Sequence, residues 1–376
     1  MNKNIDSKEF KLEEFKNKDD LLDFINSIES TNNDIKEKAR IRQNNLIKPI
    51  GSLGVLEEIS IKISGITGKI ENNLSKRILF LFGADNGIYD AGVSGSPQYF
   101  TKELMLYYAQ GYGTGINSIS SKYNTLLKII NMGVKGNLDH PNIHNINLME
   151  NGTNNFLIKK AMPEYKMIRA IATGISLAKY ALENGFHILG GGEVGMGNTT
   201  TSTACILSLM KVDDQTFIGK GGGLTDIQYE NKKRAIFEGI NKYNLYNTDP
   251  LDVLSSVGGL DIAGLVGLYI GAAKYKLPVV LDGVISVSAA LIAYKLNNSV
   301  KEYMFASHRS LEASYSLAIN EIGLNPILEL NMRLGEGTGC PIAMDIIDTA
   351  CNVLEKMNTF DDIKLEKEYR KNLKNS

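Results

Sequence analysis

Six apolar runs, each ending at a glycine or a polar turn, constrain the fold of this chain more than any other feature of its sequence. Beginning at residue 76, they read "KRILFLFGADNG", "TLLKIINMGV", "GFHILGGGEVG", "QTFIGKGGG", "LPVVLDGVIS" and "EYMFASHRS". Most of them precede a segment whose apolar residues recur at helical spacing. Near-continuous apolar strands that alternate with helices are typical of a parallel sheet, because crossover helices must cover both of its faces. The sequence therefore predicts an α/β fold built on a parallel sheet.

The turns after these runs carry polar residues, and the sheet determines where those residues lie. Ligands of an open parallel sheet bind outside the carboxyl ends of its strands, where loops and helix N-termini meet. One crevice would then be surrounded by Asp85, Asn86, Glu193, Asn198, Lys220, Asp282, Ser286, His308 and Ser310. Such residues also occur at strand ends simply as helix caps, so each one alone is weak evidence for a binding site.

The chain before the first strand has a different character. It is polar, and "LEEFKNKDDLLDFINSI" carries apolar positions at helical spacing, which predicts helices outside the main sheet. The charged start has no apolar segment of the kind found in signal peptides, so a cytoplasmic protein is expected. Residues 137–165 form a second polar stretch, which is predicted to be a long loop or a flap.

Composition and motif content argue against several classes of function. Lys and Arg total 41 against 42 Asp and Glu, without clustering, which disfavours nucleic-acid binding. The apolar stretch at residues 260–273 is too short to span a bilayer and contains Asp261, so a buried helix and no membrane association are expected. The 3 cysteines lack C-x-x-C spacing and the 4 histidines lack a zinc pattern, so neither a disulfide framework nor a metal site is predicted.

A literal G-x-G-x-x-G pattern follows one of the strand-like runs, at Gly190, Gly192 and Gly195. In a dinucleotide-binding domain, an acidic residue follows at the end of the next strand. Here Asp213 and Asp214 precede the next strand-like run, "QTFIG", so NAD binding is disfavoured. The P-loop pattern is absent because Lys220 is followed by glycine, and ATP hydrolysis therefore has no support.

Two glycine-rich turns, residues 195–198 and 219–223, remain as candidates for anion binding. Their exposed backbone amides could hold a phosphate at a helix N-terminus. Lys220, Lys232 or Lys233 could supply positive charge, although most lysines in proteins are simply solvated. The three threonines at residues 199–201 could equally cap the helix without touching a ligand.

The stretch "RLGEGTGC", residues 333–340, places Glu336 between two glycines. Glycine permits positive φ and a close approach of the backbone to a ligand, although glycine runs also make plain loops. A second carboxylate, Glu193, also lies in a glycine-rich turn. The two could form an acid and base pair of the kind used in glycoside hydrolysis, or Glu193 could pin its loop through backbone amides.

Taken together and in order, these motifs resemble the nicotinate-nucleotide:dimethylbenzimidazole phosphoribosyltransferase family. The resemblance covers nearly everything after the first forty residues. It is carried by "KPIGSLGVLEEIS", "GADNGIYDAGVSGSPQYFT", "GGGEVGMGNTTT", "GKGGGLTD", "DPLDVLSSVGGLDIAGLVG", "PVVLDGVIS", "ASHRS" and "RLGEGTGC".

The resemblance implies a fold and an activity. The implied enzyme moves the 5-phosphoribosyl group of nicotinate mononucleotide to 5,6-dimethylbenzimidazole, giving nicotinate and α-ribazole 5′-phosphate for the lower ligand of cobalamin, without a cofactor or a metal. The implied fold is a large domain with a Rossmann-like parallel sheet and a small helical domain built from N- and C-terminal segments. We expect residues 1–75 to be a mainly helical segment of the small domain, 76–335 the catalytic domain, and 336–376 the catalytic loop with C-terminal helices. Family members are homodimers that share their active sites.

The resemblance also assigns roles to residues. Glu336 falls on the catalytic base, and Glu193 lies across the site from it. Nucleotide and phosphate binding is expected from Gly195, Gly197, Asn198, Thr199, Gly221, Gly222, Lys232 and Ser310, with Lys233 as the neighbouring possibility for the lysine. The base pocket is expected to contain Asp85, Asn86, Ser96, Gln98 and Leu334.

The chain departs from the family pattern near the base pocket. Asn86 stands where A-D-H-G has histidine, and Ser96 stands where an aromatic residue is common before Pro97. Tyr99 replaces a glutamate, whereas Gln98 is kept. These changes bear on which base is accepted, and leave the glutamate chemistry as it is. A hydrolase that binds nicotinate mononucleotide is the alternative function, and an NAD-dependent dehydrogenase is a more distant one.

Overall fold

A computed structural model describes residues 11–364 of the protein and places a six-stranded, all-parallel sheet at its centre. The strands are β1 (Arg77–Ala84), β2 (Thr125–Gly133), β3 (Ile143–Asn145), β4 (Ile188–Val194), β5 (Val279–Leu281) and β6 (Met304–Ala306). Their order across the sheet is β3-β2-β1-β4-β5-β6. The chain thus moves outward from β1 to β3, and then returns to the other side of β1 to form β4. Ligands of such sheets bind where the order reverses, which here lies beyond the carboxyl ends of β1 and β4.

Thirteen α-helices surround the sheet in the described part of the chain. They are α1 (Lys18–Asn26), α2 (Asn33–Asn45), α3 (Val55–Thr67), α4 (Phe100–Gln110), α5 (Gly115–Lys122), α6 (Glu164–Glu183), α7 (Asn198–Met210), α8 (Asp226–Lys242), α9 (Pro250–Val257), α10 (Leu260–Lys274), α11 (Val284–Leu296), α12 (Tyr315–Ile322) and α13 (Gly339–Lys356). Helices α10 and α11 pack on one face of the sheet, with α6 behind α10, and α4, α5 and α13 pack on the other. The predicted α/β fold with a covered parallel sheet is confirmed.

Helix α10 is the apolar stretch that was expected to be a buried helix, and the structure confirms this. Helix α10 crosses α6 at very short range. A Cβ added at Gly174 would lie 2.0 Å from the Gly264 carbonyl oxygen. A Cβ added at Gly267 would lie 1.9 Å from the Ile171 carbonyl oxygen. Only glycine fits at such a crossing. Across residues 11–364, no helix is both long enough and apolar enough to traverse a bilayer.

One predicted strand is wrong. The run "QTFIG" forms a 3₁₀ turn at Gln215–Phe217 and does not join the sheet. The Asp214 side chain accepts a hydrogen bond from the Thr216 amide at 2.9 Å and turns the chain. The Tyr229 hydroxyl then donates to the Ile218 carbonyl oxygen at 2.7 Å, so this backbone is satisfied without a neighbouring strand.

The sixth strand comes instead from the polar stretch predicted to be a loop. Strand β3 is only three residues long and pairs with the edge strand β2. The Asn131 side chain donates to the Asn145 side chain at 2.8 Å and links the two strands. A strand this short leaves no period in the sequence that could have revealed it.

Segments from both ends of the chain pack together beside the sheet. Helices α2, α3 and α13 enclose a small second core made of Ala39, Ile61 and Leu354. The Arg42 guanidinium donates to the carbonyl oxygen of Leu354 at 2.8 Å, and an isolated antiparallel bridge joins Leu46 to Thr359. These helices come from the segments expected to form the small domain. The three domain boundaries stay a prediction, and their outermost residues, 1–10 and 365–376, lie outside the described residues.

Candidate active site

A cavity of about 300 Å³ opens beyond the carboxyl ends of the strands, where the sheet order reverses. Its wall includes the end of β4, the starts of α7 and α11, and the loop that carries Glu336. Eleven of the predicted site residues line it: Ser96, Glu193, Gly195, Gly197, Asn198, Thr199, Gly221, Gly222, Ser310, Leu334 and Glu336. A larger space of about 730 Å³ lies against β2, α4 and α5 and contains none of them. The smaller cavity is therefore the candidate site.

The loop that carries Glu336 has an unusual backbone. Gly335, Glu336 and Gly337 have φ values of 82°, 63° and 82°, so three consecutive residues are left-handed. This region is open to glycine but costs a glutamate on the order of 1–3 kcal/mol. Strain of this kind persists only where the surrounding structure enforces it.

The Asp282 carboxylate enforces this loop conformation. Its Oδ2 accepts a hydrogen bond from the Gly337 amide at 3.0 Å, and its Oδ1 accepts one from the Gly339 amide at 2.8 Å. Burial raises the pKa of Asp282, while His308 and these amides oppose the shift. His308 Nδ1 lies 3.7 Å from Oδ1. Sequence reasoning expected Asp282 and His308 beside the crevice, but it did not identify Asp282 as the clamp of the glutamate loop.

Strand β4 supports the same loop from below. A Cβ at Gly192 would lie 2.5 Å from the Glu336 carbonyl oxygen, so any larger residue there would displace the loop. Gly190 and Gly192 are both inside β4, where a dinucleotide fingerprint would need them in the turn after the strand. Gly192 thus makes room for the glutamate loop, while Gly190 packs against Met344 and Cys340. These packing roles agree with the sequence argument against NAD binding.

The Glu336 side chain is half-buried at the cavity wall. Its Oε2 is fully buried and has no hydrogen-bond partner among residues 11–364. Burial raises the pKa of Glu336, and the nearby Tyr108 hydroxyl opposes this shift. A half-buried carboxylate at a cavity wall, with a raised pKa, is suited to take a proton from a bound ligand.

Glu193 stands at the end of β4 and is 6% exposed. Its Oε2 accepts a hydrogen bond from the Asn198 side chain at the start of α7, and a Cβ at Gly335 would lie 2.9 Å from its Oε1. Burial, followed by the carboxylates of Asp261, Asp282 and Glu336, raises the pKa of Glu193 well above its usual range. Glu193 therefore joins α7 to the glutamate loop.

Behind these two glutamates lies a buried carboxyl group that sequence reasoning did not assign to the site. Asp261 begins α10, is fully buried, and lies 3.4 Å from the Asn198 amide nitrogen. Burial raises the pKa of Asp261 to about 7. A Cβ at Gly259 would lie 2.7 Å from Asn86 Oδ1 and 2.2 Å from Asp261 Oδ1, so these side chains are neighbours. In the sequence, the one indication of this buried position was an Asp within an apolar stretch.

The opposite end of the cavity is built for an anion. Gly197, with φ 90°, precedes the first turn of α7, so the helix directs its amides toward the glycine turn at residues 219–223. Lys232 is fully buried one layer behind, where its Nζ donates to Thr199 Oγ1 at 3.1 Å and to the Gly219 carbonyl oxygen at 2.9 Å. Burial lowers the pKa of Lys232 to about 8, against the influence of Glu312.

Lys233 points elsewhere. Its Nζ pairs with Glu230 at 2.5 Å and lies 4.7 Å from the centre of the Tyr229 ring. A Cβ at Gly221 would lie 3.4 Å from the Lys232 Nζ, so Lys232 is the lysine adjacent to the cavity wall.

Lys232 and three residues expected in the base pocket lie outside the cavity lining: Asp85, Asn86 and Gln98. The Asp85 carboxylate accepts from the Lys135 amide at 2.8 Å and its carbonyl oxygen accepts from the Thr153 amide at 3.0 Å, so it ties two loops together. Asn86 is fully buried beside Asp261, and Gln98 is half-buried in the turn before α4. Residues 11–364 hold no metal-binding cluster of three or more His, Cys, Asp or Glu side chains.

The sheet order and a cavity lined by glycine turns and by the strained glutamate define an α/β protein of the class that binds its ligand at the carboxyl ends of a parallel sheet. A family model described as "Phosphoribosyltransferase" matches residues 28–364. The chain belongs to the nicotinate-nucleotide–dimethylbenzimidazole phosphoribosyltransferase family.

Similar proteins support this membership. The nicotinate-nucleotide–dimethylbenzimidazole phosphoribosyltransferase of Clostridium perfringens is 41% identical over 354 residues, covering 94% of this chain and 98% of the relative. That of Clostridium tetani is 40% identical over 339 residues, covering 90% and 93%. The crystal structure of CobT from Thermus thermophilus superimposes with a TM-score of 0.84 at 30% identity, covering 89% of this chain and 99% of that one.

Proposed function

We propose that this protein transfers the 5-phosphoribosyl group of nicotinate mononucleotide to 5,6-dimethylbenzimidazole or a related base, giving nicotinate and α-ribazole 5′-phosphate. The observation that carries the proposal is Glu336, a half-buried carboxylate on a clamped, left-handed loop, which lines the same cavity as the glycine turns at residues 195–197 and 221–222. The family relationship supplies the substrates, since the relatives are named for this reaction.

The leaving group needs no help from a protein acid. Nicotinate mononucleotide carries a positively charged pyridinium at C1′ of ribose, and breaking that C1′–N bond neutralises the nitrogen. An imidazole nitrogen of the incoming base forms a new C1′–N bond from the opposite face, so a β nucleotide becomes an α nucleotide. The protein contributes mainly by aligning the two reactants.

The incoming base must lose a proton as the new bond forms, because its second nitrogen becomes acidic. Glu336 is the acceptor we propose, since its side chain stands at the cavity wall. Glu193 would act from the opposite side of the loop, as a neutral acid that donates a hydrogen bond to ribose or to the nucleotide. Its raised pKa supports that role over a second base.

The phosphate of the nucleotide would bind between the start of α7 and the glycine turn at residues 219–223. Amides at a helix N-terminus favour a negative charge there. Lys232 would add charge from behind Thr199 and Gly221, in its protonated form. Ser310 lies on the same wall and can donate its hydroxyl.

The base would occupy the space between Ser96 and Leu334, both of which line the cavity. Ser96 leaves more room there than the aromatic residue common in the family. Asn86 and Gln98 would act on this pocket only indirectly, because they lie outside its lining. We therefore propose that bases other than dimethylbenzimidazole are also accepted.

A homodimer with shared active sites is part of the proposal. Support comes from apolar side chains that are exposed near the cavity mouth, where Leu334 is 59% and Tyr99 62% exposed. Tyr99 and Phe100 also form an edge-to-face ring pair 5.1 Å apart on the surface. A neighbouring subunit would bury them. Sedimentation at micromolar and nanomolar concentrations tests this, and full activity of a monomer would contradict it.

The test of the activity is chromatography of the products formed from nicotinate mononucleotide with and without dimethylbenzimidazole. The transferase forms α-ribazole 5′-phosphate and nicotinate in equal amounts, and only when a base is present. A hydrolase would release ribose 5-phosphate and nicotinate without any base. That outcome would replace the proposed function with the alternative one.

A further inference from the structure

The glutamate loop has a neighbour that the proposed chemistry does not yet use. Tyr108, on α4, is 1% exposed, and its hydroxyl has no hydrogen-bond partner within residues 11–364. The hydroxyl influences the pKa of Glu336, whose Oε2 is equally buried and equally unpartnered. Buried polar atoms are seldom left without a partner, so two such atoms in interacting residues point to a shared function.

The position of Tyr108 is fixed by the packing of α4 and α5 on the loop. The Asn117 side chain, on α5, donates to the Tyr108 carbonyl oxygen at 3.1 Å. At the start of α5, a Cβ on Gly115 would lie 3.0 Å from the Leu334 side chain and 3.9 Å from that of Thr338. The helix pair therefore touches the loop on both sides of Glu336.

Tyr108 and Glu336 belong to the walls of two different cavities. Tyr108 lines the larger one of about 730 Å³, while Glu336 lines the candidate active site. The hydroxyl is the only polar atom of the Tyr108 side chain. Replacing Tyr108 with phenylalanine would keep the wall and remove the donor alone.

We propose that Tyr108 is a positioning residue whose hydroxyl donates a hydrogen bond to Glu336 Oε2 and orients the carboxylate toward the proton of the incoming base. The inference rests on the proposed function, because it concerns the same proton transfer.

The charges around the pair determine what the hydrogen bond does. Burial raises the pKa of Glu336, Asp282 raises it further, and the Tyr108 hydroxyl lowers it. Burial and the carboxylates of Glu336 and Glu193 raise the pKa of Tyr108, so the phenol remains a protonated donor. A donor to the ionised form favours that form, so Tyr108 extends the activity of Glu336 to lower pH.

The test is the pH dependence of kcat/KM for Tyr108→Phe. We expect the acidic limb of the kcat/KM profile to move to higher pH by about one unit. The value of kcat/KM should then be roughly tenfold lower than that of the wild type at pH values below the limb, and nearly unchanged above it. Tyr107→Phe is the matched control, since Tyr107 is the adjacent tyrosine on α4 and is 52% exposed. A merely structural role would lower activity equally at every pH, and that result or an unchanged profile would overturn the inference.

A second measurement does not depend on turnover. Infrared titration of the carboxyl groups, with Glu336→Gln subtracted, reports the Glu336 pKa in the resting enzyme. It should rise in Tyr108→Phe and stay the same in Tyr107→Phe. If the wild-type chain makes no α-ribazole 5′-phosphate, the proposed function fails, and the infrared shift still decides whether Tyr108 bonds Glu336. Loss of folding in Tyr108→Phe would also overturn the inference, because the hydroxyl would then have a structural partner.

Discussion

The clamp on the glutamate loop makes the most specific prediction, through the substitution Asp282→Asn. Two backbone amides donate to this carboxylate at 3.0 and 2.8 Å. Hydrogen bonds to a charged group contribute about 1.5–3 kcal/mol each, and the left-handed Glu336 costs about 1–3 kcal/mol. The two bonds together therefore exceed the strain, which is why the loop holds its conformation.

Asparagine keeps the shape of Asp282 but changes this balance. Its one oxygen can accept from a single amide, and its NH₂ group would face the other amide, donor against donor. The remaining neutral bond, about 1 kcal/mol, no longer outweighs the strain. We expect kcat to fall roughly 10- to 100-fold, with a loss of about 2 kcal/mol in the free energy of unfolding. The KM for nicotinate mononucleotide should change little, since the anion site is built from other elements.

Steady-state kinetics and urea unfolding of Asp282→Asn measure these effects. Asp213→Asn is the matched control, because Asp213 is exposed and remote from the loop. If Asp282→Asn unfolds more easily but keeps its kcat, the left-handed conformation of Glu336 does not matter for turnover. The clamp argument would then be refuted.

Three further predictions follow from the site. Glu336→Gln should lower kcat about 10²- to 10⁴-fold with nicotinate mononucleotide binding nearly unchanged, because glutamine keeps the shape but cannot accept a proton; unchanged turnover would show that Glu336 is not the base. Glu193→Gln is the comparison, and it should affect substrate affinity more than turnover if Glu193 mainly supports α7 and the loop. Lys232→Met should raise the KM for nicotinate mononucleotide, whereas Lys233→Met should not. Burial lowers the pKa of Lys232 to about 8, so the side chain is charged below that pH. Calorimetry should therefore show the affinity of the wild-type protein for nicotinate mononucleotide falling as the pH rises past 8. An affinity that does not weaken would remove Lys232 from the phosphate site. Finally, the smaller Ser96 should let other benzimidazoles or adenine compete with dimethylbenzimidazole, because the lost aromatic contact changes the binding free energy by only about 1 kcal/mol. Strict exclusion of those bases in competition assays would contradict this prediction.

The sequence determined the features that depend on neighbours along the chain. Apolar runs separated by glycine turns can form little else than a covered parallel sheet, and five of the six predicted strands are present. The glycines around Glu336 likewise indicated a special loop, because left-handed backbone requires them. The site then followed from strand ends and from the order of motifs, and eleven predicted residues line one cavity.

The tertiary structure decided which side chains meet across distant elements. The Asp282 clamp and the burial of Lys232 behind Thr199 each join segments that no local pattern connects. Asp85 and Asn86 follow a strand end, as a binding residue would, yet they lie outside the cavity lining. The physical reason is that periodicity reports only which face of an element is apolar. Distance, burial and the pKa of each group depend on how those faces are brought together.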